Sequence, residues 1–216
     1  MIKYVLFDLD GTLTDPAEGI TNSVAYALSK FGISVNDKSE LNKFIGPPLI
    51  PSFCEFYGFS EENAKRALSY YREYFAPHGI FENEIYEGIA KMLKKLFSEN
   101  KILILATSKP QEFAAKILEH FGIGEYFSMV CGNTLDESRP TKKDVLEYVM
   151  QSFPDMNGKN CVMVGDRKYD VEGAAACGIP SVGVLYGYGD EKELSSAGAD
   201  HIVSDVENLE KLLLKL

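Results

Sequence analysis

"FDLDGTLTD" occupies residues 7–15, and the fold follows from how it is read. Asp8 and Asp10 stand two residues apart, directly after an apolar run, and Gly11 and Thr12 follow at once. Like charges that close repel, and a strand that buries a carboxylate must give it a partner. The preceding "KYVLFD" (3–8) is apolar, β-branched and aromatic, the composition of a strand buried on both faces. Gly11 permits a tight turn just beyond it. Asp8 therefore ends a first strand, with Asp10 just beyond it.

Working outward, similar apolar runs recur at "KILILAT" (101–107), "FSMVCG" (127–132), "NCVMVGD" (160–166), "PSVGVLY" (180–186) and, more weakly, "HIVS" (201–204). Between them lie segments with helical periodicity. Met92, Leu93, Leu96 and Phe97 mark one, and Phe113, Ile117, Leu118 and Phe121 mark another that Gly122 closes. "KKDVLEYVMQSF" (142–153) and "VENLEKLLLKL" (206–216) fit the same period. Strands alternating with helices predict an α/β fold with a doubly wound, mostly parallel sheet and right-handed crossovers.

Residues 16–81 break that alternation. Ile20, Val24, Ala27, Leu28 and Phe31 share one helical face. A second helix opens at Ser60, with Glu61 and Glu62 in its first turn, and carries Ala64, Ala67, Leu68, Tyr71 and Phe75. "GPPL" (46–49) interrupts the segment and "PHG" (77–79) ends it. This reads as an all-helical domain of residues 16–81 inserted into an α/β core of residues 1–15 and 82–216, with hinges near Thr14–Pro16 and His78–Tyr86.

Composition narrows the function. No stretch is apolar for the roughly 18 residues that a membrane span needs, and no secretory leader pattern is present at the start. The four cysteines are scattered without a C-x-x-C, as in a reducing compartment. A cytoplasmic protein is expected. The net charge of −10 and the lack of any basic stripe longer than "RPTKK" (139–143) argue against nucleic acid as a partner. An acidic protein that binds a small anion needs local cations, a metal or oriented N–H groups.

Ligands of open parallel sheets bind beyond the carboxyl ends of the strands. Asp8, then Thr107 and Ser108, then Gly165 and Asp166 end three of the predicted strands. Clustered carboxylates tolerate one another around a hard cation such as Mg²⁺. A carboxylate can also act as a nucleophile toward phosphorus. If the chain turns at Gly11, Asp10 can return to the same pocket as general acid and base. The pattern suggests phosphoryl transfer.

"DLDGT" (8–12) after a first strand, "LATSKP" (105–110) and "VGDRKYD" (164–170) resemble, in order and in context, motifs one, two and four of the haloacid dehalogenase-like hydrolases. The helical insert resembles the C1 cap of that family, and the size resembles its phosphoglycolate phosphatase-like branch. The resemblance covers essentially the whole chain. It implies Asp8 as nucleophile and Mg²⁺ ligand, and Asp10 as acid/base with its main-chain carbonyl on the metal. It also implies that Thr107, the Ser108 N–H and the N–H groups near Gly11 hold the phosphoryl group, that Asp166 ligates the metal, and that Asp170 does so directly or through water.

Motif three departs from the pattern, since this chain has "SRPTKKDVL" (138–146). The cation beside the nucleophile is then Lys142 or Arg139, with Lys109 a third candidate. Counting from the helix start favours Lys142 and leaves Arg139 to substrate or cap. The cap loop "FIGPPL" (44–49) turns at Gly46 and is expected to reach the substrate.

Ordinary alternatives stand beside several of these assignments. Thr107 and Ser108 also suit a helix cap, Asp166 and Asp170 a helix N-terminus, and Lys142 with Lys143 a solvated helix face. His78, His120 and His201 show no metal-ligand spacing. "YYREYF" (70–75) fits the core of the helical insert, and "GYG" (187–189) lacks the full dinucleotide fingerprint.

The resemblance thus implies a Mg²⁺-dependent phosphatase of small phosphorylated metabolites, phosphoglycolate phosphatase-like or 5'-nucleotidase-like in range. It would act as a monomer or homodimer through an aspartyl-phosphate on Asp8. A phosphomutase of the β-phosphoglucomutase type shares Asp8 and Asp10. A non-catalytic phosphometabolite-binding protein is the alternative of another class.

Overall fold

The computed structural model describes residues 2–136 and 138–216. In chain order the elements are β1 (Tyr4–Phe7), β2 (Thr14–Asp15), α1 (Ala17–Ser29), α2 (Leu49–Tyr57), α3 (Glu61–Tyr74), β3 (Glu84–Ile85), α4 (Ile89–Ser98) and β4 (Ile102–Pro110). There follow α5 (Gln111–His120), β5 (Phe127–Asn133), α6 (Lys142–Ser152), β6 (Cys161–Gly165), α7 (Lys168–Ala176), β7 (Ser181–Val184), α8 (Glu191–Ala197), β8 (His201–Val203) and α9 (Val206–Lys215). The chain divides into two compact units, one of Met1–Asp15 with Ile85–Leu216 and one of Pro16–Glu84. Among the described residues, no helix is long and apolar enough to cross a membrane.

The first unit is built on a six-stranded sheet in the order β5-β4-β1-β6-β7-β8, with every pairing parallel. From β1 the chain winds outward through β4 and β5, then returns and winds the other way through β6, β7 and β8. The direction reverses between β1 and β6, where Phe7 pairs with Val164, and that reversal opens the crevice in which such sheets bind ligands. All four residues of β1 are buried, which explains why the run is apolar on both faces and does not alternate. Tyr4 and Leu6 join Ile104, Ala106, Cys161 and Met163 in one cluster with Val145, Leu146 and Val149 of α6. Each large aliphatic or aromatic side chain buried there contributes about 1.5–3 kcal/mol.

The local signals in the sequence have visible physical counterparts. The Ser60 side chain accepts from Asn63 N–H at the start of α3. Gly122 takes φ +63°, and Ile123 N–H donates to Leu118 O across it, which closes α5 as a glycine C-terminal motif does. Two predictions fail in extent. The strand expected to stop at Thr107 continues to Pro110, with a register irregularity after Ala106, so Thr107 and Ser108 belong to a strand and do not cap α5. Residues 38–44 form a 3₁₀ segment that the periodicity did not announce. Its turns are too short to build a 3.6-residue pattern.

The second unit is helical. α1 buries Ile20, Val24, Ala27 and Leu28, and α3 buries Ala64, Ala67, Leu68 and Tyr71. Gly19 on α1 sits where a Cβ would meet the Gly79 carbonyl oxygen at 2.0 Å. Only glycine allows that backbone approach.

Candidate active site

Asp8 leaves β1 at the point where the winding direction reverses, its N–H donating to Val164 O of β6 at 2.9 Å. Two further carboxylates come to the same place from the β6–α7 connection. Asp166 follows Gly165 directly, and Asp170 lies in the first turn of α7. Asp8, Asp166 and Asp170 are 7, 1 and 2 % exposed. Each offers one carboxylate oxygen, and these oxygens lie within 4.8 Å of one another.

Glycines make this crowding possible. A Cβ on Gly11, whose φ is +79°, would stand 2.1 Å from Asp166 Oδ2, and one on Gly165 would stand 2.2 Å from Asp170 Cγ. Thr12 Oγ1 donates to Asp166 Oδ1 at 3.4 Å.

Lys142 enters from the first position of α6. Thr141 caps that helix and exchanges hydrogen bonds with Asp144 in a capping box, so the register of Lys142 is set locally. Its side chain passes over Gly173 of α7, where a Cβ would lie 2.8 Å from Lys142 Cβ. The ammonium lies 2.9 Å from Asp8 Oδ1 and 2.7 Å from Asp170 Oδ1, and donates to Ala106 O at 2.9 Å. Lys142 is therefore buried, whereas Lys143 next to it is exposed. Burial works against its charge, but the attraction of Asp170 and then Asp8 is greater in sum and holds its pKa above the usual lysine range.

Asp10 stands apart from these three. Its side chain faces Lys109, whose Nζ donates to Oδ1 at 2.8 Å and to Oδ2 at 2.6 Å. Burial raises the Asp10 pKa, and Lys109 pulls against that rise. Thr107 is buried and accepts from Lys109 N–H at 3.2 Å. Ser108, beside it on β4, is half-buried.

Arg139 is directed elsewhere. Its guanidinium donates to Gln111 Oε1 at 3.2 Å and to Cys131 Sγ at 3.5 Å, and lies 4.3 Å from the Tyr148 ring centre. Gly46 belongs to the helical unit, with φ +98°.

The three-carboxylate cluster fits a hard divalent cation. It carries three potential negative charges against the one ammonium that lies between Asp8 and Asp170. Asp8 Oδ1 and Asp170 Oδ1 are buried, and among the described residues the Lys142 ammonium is what faces them, at ion-pair distance from both. The donors are all carboxylate oxygens, the set preferred by Mg²⁺. Burial pushes Asp166 well above the ordinary carboxyl range, and Asp170 adds to the rise. Burial likewise pushes Asp170 up to about 6, against the pull of Lys142. Such groups give up their protons when a cation takes the protons' place.

The sequence matches the family described as haloacid dehalogenase-like hydrolase over residues 5–184, which includes every carboxylate named above. The chain belongs to the haloacid dehalogenase-like hydrolases. A Pseudomonas aeruginosa 5'-nucleotidase is 41% identical over 97% of this chain and 94% of its own length. The tyrosine-protein kinase PtkA of Mycobacterium tuberculosis is 40% identical over 87% of this chain and 63% of its own length. A Clostridium acetobutylicum protein whose crystal structure is that of a predicted phosphatase is 51% identical, with both chains covered in full and a TM-score of 0.97. The chain is an enzyme of this hydrolase family, with relatives named for phosphatase activity.

One part of the site had no role in the sequence reading. "YGYG" (186–189) follows β7, and Tyr188 N–H donates to Asp166 Oδ2 at 2.8 Å. Nothing local marks that contact. The available signal was position: the segment ends a strand adjacent to β6, on the rim that carries the other carboxylates.

Proposed function

We propose that this haloacid dehalogenase-like hydrolase is a divalent-cation-dependent phosphatase of small phosphomonoesters that works through an aspartyl-phosphate on Asp8. The reading rests on one observation above all: Asp8 lies at the switch point beside a buried ammonium and two buried carboxylates, with Asp10 two residues on. Asp8, Asp166 and Asp170 would hold Mg²⁺ through their carboxylates, and Asp10 through its main-chain carbonyl. The cation, when bound, neutralises charge on the phosphate and on the carboxylate that approaches it.

The remaining chemistry belongs to the chain. An Asp8 carboxylate oxygen attacks phosphorus, and the bond from phosphorus to the ester oxygen breaks. Asp10, whose carboxyl is raised by burial, donates its proton to the departing oxygen. It then takes a proton from the water that attacks the acyl phosphate, which releases inorganic phosphate and restores Asp8. Lys142 keeps Asp8 and Asp170 apart and holds positive charge beside the nucleophile. The Thr107 hydroxyl and the N–H of Ser108 orient the phosphate oxygens, whereas the Gly11 N–H, expected to join them, is donated to Thr14 O at 2.8 Å and closes the turn instead; Lys109 exchanges part of its contact with Asp10 for the phosphate. The helical unit carries the substrate selectivity in this reading, with Gly46 as the turn of its substrate loop, while Arg139, engaged by Gln111, Cys131 and Tyr148, is left out of it. The 5'-nucleotidase relative makes nucleoside monophosphates the first substrates to try.

The test is release of inorganic phosphate from p-nitrophenyl phosphate, phosphoglycolate, sugar phosphates and nucleoside monophosphates, with Mg²⁺ and with EDTA. Release that requires Mg²⁺ supports the reading, and release undiminished by EDTA overturns it. A second reading, transfer from Asp8 to a hydroxyl other than that of water, is favoured by the relative named as a tyrosine kinase. It predicts label transfer from γ-labelled ATP, or isomerisation of a sugar phosphate, without net phosphate release.

A further inference from the structure

The "YGYG" segment does more than touch Asp166. Its glycines let the backbone close on that residue from two sides. A Cβ at Gly187 would lie 2.2 Å from Gly11 O and 2.4 Å from Asp166 Cβ, and one at Gly189 would lie 2.0 Å from Asp166 O. Two tyrosines of the same segment reach the other way. The Tyr186 hydroxyl donates to Thr12 O at 3.0 Å, and its ring meets Tyr86 edge to face at 5.1 Å. The Tyr188 hydroxyl donates to Asp15 Oδ1. Asp15 is the last residue of the α/β unit before the chain leaves for the helical unit, and Tyr86 is the second residue after it returns. All of these contacts lie within the α/β unit.

Tyr188 thus has two anchors. Its backbone N–H holds Asp166, and its side chain holds the departing segment. Burial, and then Asp15, keep the phenol protonated, so it remains a donor.

We propose that Tyr188 is a positioning residue that ties Asp166 to Asp15, so that cation binding at Asp8, Asp166 and Asp170 and the fixing of both crossing segments are one coupled event. This rests on the cation reading above. Leu13 O accepts from Tyr86 N–H at 3.2 Å, so loading the cation then also orders residues 13–15 and, through them, 85–88.

Amide hydrogen exchange on the full chain, with Mg²⁺ and with EDTA, tests it in the wild type, Tyr188→Phe, Asp15→Ala and the double variant. In the wild type, Mg²⁺ should slow exchange at residues 8–12 and 166–170. At 13–15 and 85–88 the slowing should be about tenfold or more, the scale of a hydrogen bond to a charged group. Each single variant should keep the first effect and lose the second, and the double variant should lose no more than either, because the residues act as one unit. Calorimetric Mg²⁺ affinity should fall by the factor lost at the crossing segments, since coupling is reciprocal. If Tyr188→Phe does not fold, Asp15→Ala carries the test through the other end of the same bond. Wild-type protection of the crossing segments in a folded variant would overturn the proposal and leave the cation reading standing. Absence of Mg²⁺ protection at residues 8–12 and 166–170 in the wild type would overturn both.

Discussion

Lys142→Met removes the buried ammonium and keeps much of the apolar stem. In the wild type that ammonium lies 2.9 Å from Asp8 Oδ1 and 2.7 Å from Asp170 Oδ1. At an effective dielectric of about 20, each contact is attractive by about 6 kcal/mol before desolvation is counted. Desolvation of the charges offsets much of this, and removing one partner of a buried ion pair costs about 3–5 kcal/mol. For a chain of this length that corresponds to a Tm loss of about 6–20 °C in EDTA.

The loss depends on pH, and its sign follows from Asp170. Burial already pushes that carboxyl up to about 6, against the pull of Lys142, so without Lys142 it rises further. A carboxyl raised in the folded state favours the protonated form there. Its stabilisation is complete below the unfolded value of about 4 and is lost as pH rises through the folded value. The deficit of Lys142→Met should therefore be small near pH 4 and reach its full size above pH 6. Urea unfolding in EDTA, followed by circular dichroism at pH 4, 5, 6 and 7, measures it. A deficit below about 1 kcal/mol at pH 7, or one equal at pH 4 and pH 7, would refute this account, because a buried unpaired carboxylate must cost more than a surface change. Added Mg²⁺ at pH 7 should recover part of the lost stability without restoring turnover.

Asp8→Asn should keep the circular dichroism spectrum and abolish phosphate release, since the amide has the shape but not the nucleophilicity of the carboxylate; wild-type turnover would exclude the covalent route. Mg²⁺ affinity by calorimetry should fall as pH drops through about 6, because Asp170 is raised to about 6 and Asp166 well above the ordinary range, and protons then compete with the metal; an affinity flat from pH 5 to pH 8 would contradict that. Gly11→Ala should weaken Mg²⁺ binding and destabilise the fold by more than about 1 kcal/mol, since the new Cβ meets Asp166 Oδ2 at 2.1 Å on a backbone with φ +79°; thermal denaturation and calorimetry would show otherwise if the loop simply yields.

The sequence alone carried the α/β class, the burial of the first strand on both faces and the placing of Asp8, Thr107 and Asp166 near strand ends. Each is written in short-range pattern: an apolar run, a period of 3.6 or a polar residue at a strand end. Residues 16–81 were legible as helical for the same reason. The extension of β4 to Pro110 was not, because a strand through "TSKP" is set by pairing with β5 and not by local composition. Counting from the helix start favoured Lys142 over Arg139 and Lys109, but where the three side chains go was not legible. Three cations stand within a few residues of suitable positions, and only the packing of α6 over Gly173 brings the Lys142 ammonium between Asp8 and Asp170. Lys109 goes to Asp10, and Arg139 to Gln111, Cys131 and Tyr148. The seat of Asp166 against Tyr188 joins residues far apart in sequence through the order of β6 and β7. Such contacts depend on which strands become neighbours, and no local period encodes that.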